Sequence, residues 1–497
     1  MSTPHSLVLI TVDCLRADHV GFLGYNRPTT PFLDSLAAES LVFSNAIVAG
    51  APTYYSFPAI VASRYPLALG RDVVGLAPDE PTLVSVLKQS GYATGAFLAG
   101  NPYLSRRFGY DAGFDTFRDF LEAERGPLSD DSDGADTPSR RSRWNRRLAK
   151  ACHNLGLVGS LYDEVYFQYC QRLASSPAQS LDMLRRFPGA DVIVEQARDW
   201  LAGVAGAPFF LWLHFMDPHS PYYPPKKALE WMGDGKLDAS RARYLNSYWN
   251  RGDLGAKRLK RHCDEVIALY DAGIRWVDAQ VARLVGMLRQ FGRWENCALA
   301  LTADHGEEFL DHGGRYHPPS KVTEELIRVP LLLRLPGLSR TQPTKVPFSL
   351  LHLVPTLLEA VRVPAPTDFR GRSYWSELKK GGSWEKPAVI ECITGCTNPF
   401  RADHRLGARI LAIREARYKL VLDFSSSKEQ LFDLDADPAE SRPLPSNAAK
   451  PARRRLLERG RQHLADSLQS RDPGRRLSAR MRDIRLEWAN STTRVSN

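Results

Sequence analysis

The chain of 497 residues lacks the usual marks of membrane-spanning, disulfide-stabilised and secreted proteins. It has no run of about 18 apolar residues, the length that a helix needs to cross a bilayer. Its seven cysteines, an odd number scattered from Cys14 to Cys396, do not have the spacing of a disulfide framework. The start, "MSTPHSLVLITVD", enters a strand-like run without a basic leader or a small-residue cleavage site. We therefore expect a cytoplasmic protein with free, mostly buried thiols and no transmembrane segment.

Basic residues outnumber acidic residues, and the excess is concentrated in two segments of the chain. The formal net charge is +10, and the excess of basic residues lies mainly in segments 139–150 and 453–485. Neither segment has a nucleic-acid-binding motif or interleaved stacking aromatics, so no nucleic-acid partner is expected. Solvated helix faces or flexible arms are the usual form of such segments. An anionic substrate, partner or membrane surface is the alternative.

Three apolar runs of the sequence end in carboxylate or imidazole side chains. They are "SLVLITVD", which ends at Asp13, "APFFLWLHFMDPH" at 207–219 and "NCALALTADHGEE" at 296–308. Each run is typical of a strand that is buried in a parallel sheet. Because open α/β sheets bind ligands at the carboxyl ends of their strands, we expect these polar groups to share one edge of the sheet.

Helical patterns separate these strands. "TTPFLDSLAAES", "PTLVSVLKQSGY" and "DEVIALYDAGIRWVDAQVARLVGMLRQFG" have apolar residues spaced by three and four. The alternation predicts an α/β fold with a large, mainly parallel sheet flanked by helices. Later short strand patterns predict a small C-terminal α+β subdomain. The predicted organisation is a catalytic domain at 1–384 with a surface insertion at 122–150, the small subdomain at 385–445, and a basic helix and tail at 446–497.

Several residues near the strand ends could take part in chemistry. Asp304 and His305 stand before a glycine, where a tight turn lets an adjacent carboxylate and imidazole bind one divalent cation. His219 lies on a proline-rich loop and could bind an anion or protonate a leaving group, although such a loop can also carry incidental polar groups. Lys321 precedes another predicted helix and strand, where a lone lysine is usually a surface residue.

Ser56, in "TYYSFPAI", has two interpretations. A serine two residues before a proline, here Pro58, is typical of a helix start, with the hydroxyl capping a backbone amide. The same place offers free amides and the positive end of the helix dipole, which favour negative charge on a bound group. The residues alone leave Ser56 as either a helix cap or a nucleophile.

Taken in order, these motifs resemble the sulfatase family of the alkaline-phosphatase-like superfamily. The resemblance covers nearly the whole chain and is carried by "LVLITVDCLRADHVGFLGYNRPTTPFLDSLA", "YSFPAIVASRYP", "FLWLHFMDPHSPYYPP", "LTADHGEEFLDHG" and "PPSKVTEELIRVPLLLR". It implies a metal-dependent hydrolase that cleaves a sulfate or phosphate ester of an anionic small molecule, glycan or lipid. It also implies one divalent ion (Ca, Mn, Mg or Zn) and assigns its ligands to Asp13, Asp304 and His305.

The resemblance further implies the residues that contact the substrate. Ser56 would be the nucleophile, and Lys321 and His219 would contact the transferred group or protonate the leaving oxygen. His317 joins them as a substrate-binding candidate. Asn101 is a second such candidate, because "GNPYLSRR" replaces the family's Gly-Lys-Trp-His segment. Arg64, one helical turn beyond the family's usual arginine position, is a third.

Two departures from the family pattern bear on the reaction. Formylglycine forms where Cys or Ser is followed by Pro at the second and Arg at the fourth position, and Ile60 replaces that arginine. Formylglycine at Ser56 therefore remains an alternative. An unmodified serine favours a phosphodiesterase or phosphoryl-group transferase, because a sulfated serine lacks the aldehyde exit that formylglycine provides. Cys14 also replaces the second acidic residue of many members, and an inactive anion-binding protein is the remaining alternative.

Overall fold

The structure is a computed structural model that describes residues 5–121, 180–204, 206–336, 338, 346–382, 386–469 and 472–492. The predicted insertion at 122–150 lies outside these ranges. The strands of the described ranges are, in chain order, β1 (Ser6–Val12), β2 (Leu41–Ile47), β3 (Ala93–Leu98), β4 (Thr116–Arg118), β5 (Phe209–Phe215), β6 (Cys297–Ala303), β7 (Glu308–Phe309), β8 (Arg315–Tyr316), β9 (Arg328–Arg334), β10 (Phe348–Ser349), β11 (Ala388–Ile393), β12 (Arg409–Arg414), β13 (Tyr418–Asp423) and β14 (Lys428–Asp433).

Helices pack on both sides of the strands. The described α-helices are α1 (Pro31–Ala37), α2 (Thr53–Ala62), α3 (Leu83–Gln89), α4 (Leu181–Leu184), α5 (Ala190–Gly203), α6 (Lys226–Trp231), α7 (Ala239–Trp249), α8 (Ala256–Leu259), α9 (Cys263–Gln290), α10 (Glu324–Ile327), α11 (Leu353–Ala360), α12 (Trp375–Lys379), α13 (Lys450–Gln469) and α14 (Pro473–Thr492). Short 3-10 helices lie at Ala17–His19, Gly21–Leu23, Pro102–Leu104, Arg106–Phe108, Lys260–His262, Leu350–His352 and Asp403–Leu406.

An eight-stranded sheet forms the centre of the molecule, in the order β10-β2-β9-β6-β1-β5-β3-β4. Only β9 is antiparallel to its neighbours in this sheet. β1, β5 and β6 are buried along their whole length, which explains why their sequences are continuous apolar runs. The predicted fold class, a mainly parallel sheet flanked by helices, is confirmed.

The register of the three central strands sets the position of the site. Val12, the last residue of β1, is paired with Phe215 of β5 and with Ala303 of β6. The residues that follow these three, among them Asp13 and Asp304, therefore leave the sheet side by side at its carboxyl edge. The sequence-based expectation that the polar run ends share one edge holds for these strands.

A second sheet lies in the C-terminal part, as predicted. Its four antiparallel strands run in the order β11-β12-β13-β14, and α13 packs its buried Leu456 against them. The buried Lys419 ammonium, on β13, pairs with Glu440 at 2.7 Å and with Glu324 of α10 at 3.5 Å. This buried ion network joins the C-terminal sheet to α10, the short helix that leads into β9.

The basic C-terminal segment forms the two helices α13 and α14. In α14, Ala479 is buried in a small apolar cluster with residues 69, 73 and 77, and Arg476 pairs with Asp72 at 3.1 Å. Arg455 of α13 pairs with Glu415 at 2.6 Å. Several of the basic side chains therefore bind acidic groups of this same chain. Within the described ranges, none of the helices combines the length and the apolar character that crossing a bilayer requires.

Candidate functional site

Two carboxylates and an imidazole meet at the carboxyl edge of the central strands. Asp13 follows β1, and Asp304 and His305 follow β6; all three are fully buried. His305 Nε2 lies 3.6 Å from Asp13 Oδ1 and 3.6 Å from Asp304 Oδ2. The turn after His305 needs glycine, because a Cβ at Gly306 would lie 1.9 Å from the Glu325 carbonyl oxygen. The three metal-ligand candidates from the sequence are thus brought together.

The hydrogen-bonding pattern of this group fits a bound cation. His305 Nδ1 is 2.8 Å from the Gly306 carbonyl, which can only accept, so Nδ1 carries the proton and Nε2 presents a lone pair. That lone pair faces the two carboxylates. Asp304 Oδ2 is buried, and within the described part of the chain it has no hydrogen-bond partner. A divalent ion would satisfy these converging acceptors with ordinary oxygen and nitrogen ligands.

The electrostatics of the two carboxylates agree with this interpretation. Burial acts to raise the pKa of Asp13, but the imidazoles of His219, His214 and His305 outweigh it and hold that pKa well below its usual range. For Asp304 the pKa is raised, first by burial and then by the negative charge of Asp13. Without a cation, the two neighbouring carboxylates therefore resist being ionised together.

Two further side chains support Asp13. Asn101 Nδ2 donates to Asp13 Oδ2 at 2.9 Å, so this substrate-binding candidate instead contacts a metal-ligand candidate. His214 Nε2 lies 3.4 Å from the same oxygen, while Nδ1 is 2.9 Å from the Thr11 hydroxyl. The sequence-based search missed His214. Its signal was a single imidazole inside the apolar β5, one residue before the strand ends.

The hydroxyl closest to this group belongs to Thr53. Thr53 is the first residue of α2, and its Oγ1 lies 3.1 Å from His305 Nε2. Because that nitrogen presents a lone pair, the threonine hydroxyl donates to it. The helix starts here because the Pro52 carbonyl accepts the amides of Tyr55 and Ser56, at 2.8 and 3.2 Å. The Thr53 side chain thus lies at the helix N-terminus, beside Asp13, Asp304 and His305.

Ser56 is placed differently from the sequence-based prediction. It lies within the first turn of α2, and its Oγ donates to the Thr53 carbonyl at 3.1 Å. Pro58, taken as the mark of the helix start, is the sixth residue of the helix. The cap is Pro52 instead of Ser56, so Ser56 faces back along the helix and Thr53 lies at the helix N-terminus.

His317 and His219 lie beside the group formed by Asp13, Asp304 and His305. The ring centroid of His317 is 4.5 Å from that of His305 and 5.1 Å from that of His219. Burial lowers the pKa of His219. Burial also acts to lower the pKa of His317, but the adjacent Glu307 carboxylate outweighs it and raises that pKa. Both candidates from the sequence therefore lie beside the carboxylate and imidazole group.

Lys321 and Arg64 are not brought to this group. Lys321 Nζ donates to both carboxylate oxygens of Glu308, at 2.8 and 2.7 Å, and ties the β7–β8 hairpin to the segment after it. Arg64 lies beyond the end of α2, where it is buried and donates to Glu80 and to the Gly75 carbonyl. Both cations therefore have ion-pair partners in this structure, and their substrate-binding roles stay predictions.

Comparison with known proteins gives consistent relatives. The family model described as "Sulfatase" matches residues 5–363, and the model "N-sulphoglucosamine sulphohydrolase, C-terminal" matches residues 315–465. An arylsulfatase of Clostridium perfringens is 26% identical over 470 residues, covering 88% of this chain and 89% of the relative. The multifunctional alkaline phosphatase superfamily protein PehA of Trinickia caryophylli is 24% identical over 481 residues, covering 88% and 90%.

Solved structures share the fold. The phosphonate monoester hydrolase SpPMH from Silicibacter pomeroyi superposes with a TM-score of 0.65 at 20% identity, covering 94% of this chain and 96% of that one. A 2-O glycosaminoglycan sulfatase, BT1596, superposes with a TM-score of 0.63 at 19% identity, covering 95% and 96%. At these identities the likeness establishes the architecture of the sheet and its flanking helices.

Proposed function

This chain belongs to the sulfatase family of sulfate and phosphate ester hydrolases, and we propose that its own ester is a phosphate or phosphonate ester that Thr53 attacks. The observation that carries the proposal is the Thr53 hydroxyl, 3.1 Å from His305 Nε2 at the N-terminus of α2. A hydroxyl in this place lies next to His305 and Asp304, two of the three candidate metal ligands. The proposed metal ligands are Asp13, Asp304 and His305.

The side chain of Thr53 favours phosphorus over sulfur. Formylglycine is an aldehyde made from a residue whose Cβ is a CH₂ group, and the methyl group on the threonine Cβ prevents that conversion. An unmodified hydroxyl that has accepted a sulfuryl group has no aldehyde exit, so water must cleave the sulfate ester directly. Direct attack of water on a phosphothreonine is the easier reaction. The choice is in line with the phosphonate monoester hydrolases among the solved structures that share this fold.

The polypeptide provides part of the anion-binding field itself. The amides of Thr53 and Tyr54 precede the first hydrogen bond of α2, which the Tyr55 amide makes to the Pro52 carbonyl. These free amides and the positive end of the helix dipole stabilise negative charge beside the attacking oxygen. Asn101 and His214 hold Asp13 in place from the other side. His219 and His317 face the remaining side of the pocket, where the leaving group would lie.

A bound divalent ion would supply the positive charge that lowers the pKa of the adjacent hydroxyl and screens the phosphoryl oxygens. In the proposed reaction, an Oγ–P bond forms as the P–O bond to the leaving group breaks. The threonine proton is lost and the leaving alkoxide gains a proton. Water then cleaves the phosphothreonine, which releases phosphate or phosphonate and regenerates the hydroxyl.

Trapping the covalent intermediate tests the proposal. The metal-loaded enzyme is mixed with an aryl phosphodiester, an aryl phosphonate or an aryl sulfate, quenched in acid during turnover, and digested for peptide mass spectrometry. We expect a phosphoryl or phosphonyl group on Thr53, located by fragment ions that separate it from Ser56. A modified Ser56, or turnover of the sulfate alone with an unmodified Thr53, would contradict the assignment.

The predicted cytoplasmic location remains part of the proposal.

A further inference from the structure

A second set of metal-binding groups lies directly beside Asp13, Asp304 and His305. One donor atom from each of Cys14, His219 and His317 lies within 4.8 Å of the others. Cys14 Sγ is 3.4 Å from His317 Nδ1 and donates to Asp13 Oδ1 at 3.1 Å. We propose that these three side chains bind a second cation, and that the cation is zinc. This inference rests on the proposed function only because the second cation would lie in the same pocket as the first.

Each of the two histidines can present a ring nitrogen to the proposed cation. His219 Nδ1 is 2.5 Å from the Ser220 carbonyl, which can only accept, so the proton lies on Nδ1 and Nε2 presents the lone pair. His317 Nδ1 is 3.1 Å from Glu307 Oε2, and the Tyr222 hydroxyl donates to the other oxygen of that carboxylate at 3.1 Å. A carbonyl behind Nδ1, as in His219, is the common outer support of a metal-bound imidazole. His317 faces Cys14 Sγ, at 3.4 Å, with the same Nδ1 that contacts Glu307, so Nδ1 would be its ligand atom and the Glu307 carboxylate would lie beside the cation.

The backbone aims Cys14 into this set. Cys14 has φ of +60°, in the left-handed region that non-glycine residues rarely adopt. Its carbonyl accepts the Tyr270 hydroxyl at 2.7 Å, and the same hydroxyl accepts the Arg16 amide at 2.9 Å. These two hydrogen bonds hold the unusual conformation, which places the sulfur between Asp13 and His317. Strained residues of this kind are concentrated at functional sites.

Charge and ligand type select the ion. When Cys14 binds a metal it loses its proton to solvent, and the resulting thiolate and the buried Glu307 supply two negative charges for a second dication. Asp13 and Asp304 supply two for the first. One sulfur and two imidazole ligands favour zinc, whereas calcium and magnesium prefer oxygen. A histidine that binds zinc cannot also protonate the leaving group, so the proposal removes that role from His219.

Cobalt substitution tests the proposal without relying on turnover. The purified protein is stripped with a chelator and reloaded with Co²⁺, and near-ultraviolet absorption then reports a bond between cobalt and a thiolate. We expect this band in the wild type and in Cys263→Ser, a matched change at a buried cysteine of α9, and its loss in Cys14→Ser. Absence of the band from the cobalt-loaded wild type would overturn the proposal. This result does not depend on whether the variants fold.

Metal analysis gives the second readout. Zinc-loaded wild type is expected to hold two ions per chain after gel filtration, and Cys14→Ser and His317→Gln one each. Equal zinc content in the wild type and in both variants would refute the second site. Thr53→Val should keep both ions and the cobalt band even though it loses the covalent intermediate. Failure of the nucleophile assignment is thereby separated from failure of the second site.

Discussion

Thr53→Val and Ser56→Ala form a matched pair that decides which hydroxyl reacts. Valine preserves the volume of the buried Thr53 side chain and removes only the hydroxyl that bonds to His305 at 3.1 Å. A structural hydrogen bond contributes about 1 kcal/mol, which corresponds to about a fivefold effect on a rate. Loss of a nucleophile lowers kcat by about 10⁴-fold or more. The two roles therefore differ by about three orders of magnitude.

We expect Thr53→Val to lose at least about 10⁴-fold in kcat on the substrate that the wild type turns over. Ser56→Ala should keep kcat within about threefold and lose about 1 kcal/mol of unfolding free energy, because only the bond to the Thr53 carbonyl disappears. Steady-state kinetics at saturating metal and guanidinium unfolding measure both quantities. A Thr53→Val variant within tenfold of wild type, or a Ser56→Ala variant that is inactive but folded, would refute the reasoning.

Three further predictions concern groups outside the pocket. Arg64→Ala leaves the buried Glu80 carboxylate without its guanidinium partner and should lower the unfolding free energy by about 3–5 kcal/mol, measured by denaturant titration. Glu440→Gln removes the 2.7 Å partner of the buried Lys419 and should cost a similar amount. Burial and nearby cations lower the pKa of His352 to about 3, so the folded state resists its protonation. Stability should fall as the pH drops from 6.5 toward 3, and His352→Asn should remove about 2 kcal/mol of the loss between pH 7 and pH 5, by calorimetry at each pH.

Controls exist for each of these predictions. Arg401 pairs with Asp403 on an exposed surface, so Arg401→Ala should cost less than about 1 kcal/mol by the same titration. If Arg64→Ala or Glu440→Gln is equally harmless, the buried pairs do not carry the assigned stability. For His352, an unchanged difference in stability between pH 7 and pH 5 in the asparagine variant would assign the acid sensitivity to other groups.

The parts of the fold that local patterns encode were predictable from the sequence. β1, β5 and β6 are continuous apolar runs because both faces of the sheet are covered, and a carboxylate follows each strand within two residues. Since the carboxyl ends of parallel strands share an edge, Asp13 and Asp304 could be placed together before any coordinates existed. The start of α2 could not be placed, because Pro52 and Pro58 both resemble a helix start. Only the folded chain shows that the carbonyl of Pro52 receives the first amides.

Ion-pair choices were beyond the sequence for a different reason. A lysine in an extended segment gives no sign of which carboxylate it will meet, and Lys321 finds Glu308 only because the β7–β8 hairpin folds back toward it. His214 was hidden by its surroundings, since an imidazole within an apolar strand resembles a core residue. Its role follows from the register that sets β5 beside β1. Long-range pairing of this kind is set by the tertiary structure.

The spread of the site along the chain has a consequence for the biosynthesis of the protein. Its proposed donor groups follow the ends of β1, β5 and β6 and the end of the short strand β8, between Asp13 and His317. Domains fold as units during translation, so the first proposed cation position would be complete only after the ribosome has released His305, and the second only after it has released His317. An ion therefore cannot template the early folding of this chain. The metal content of the mature protein would then depend on the ion pool that the finished domain meets.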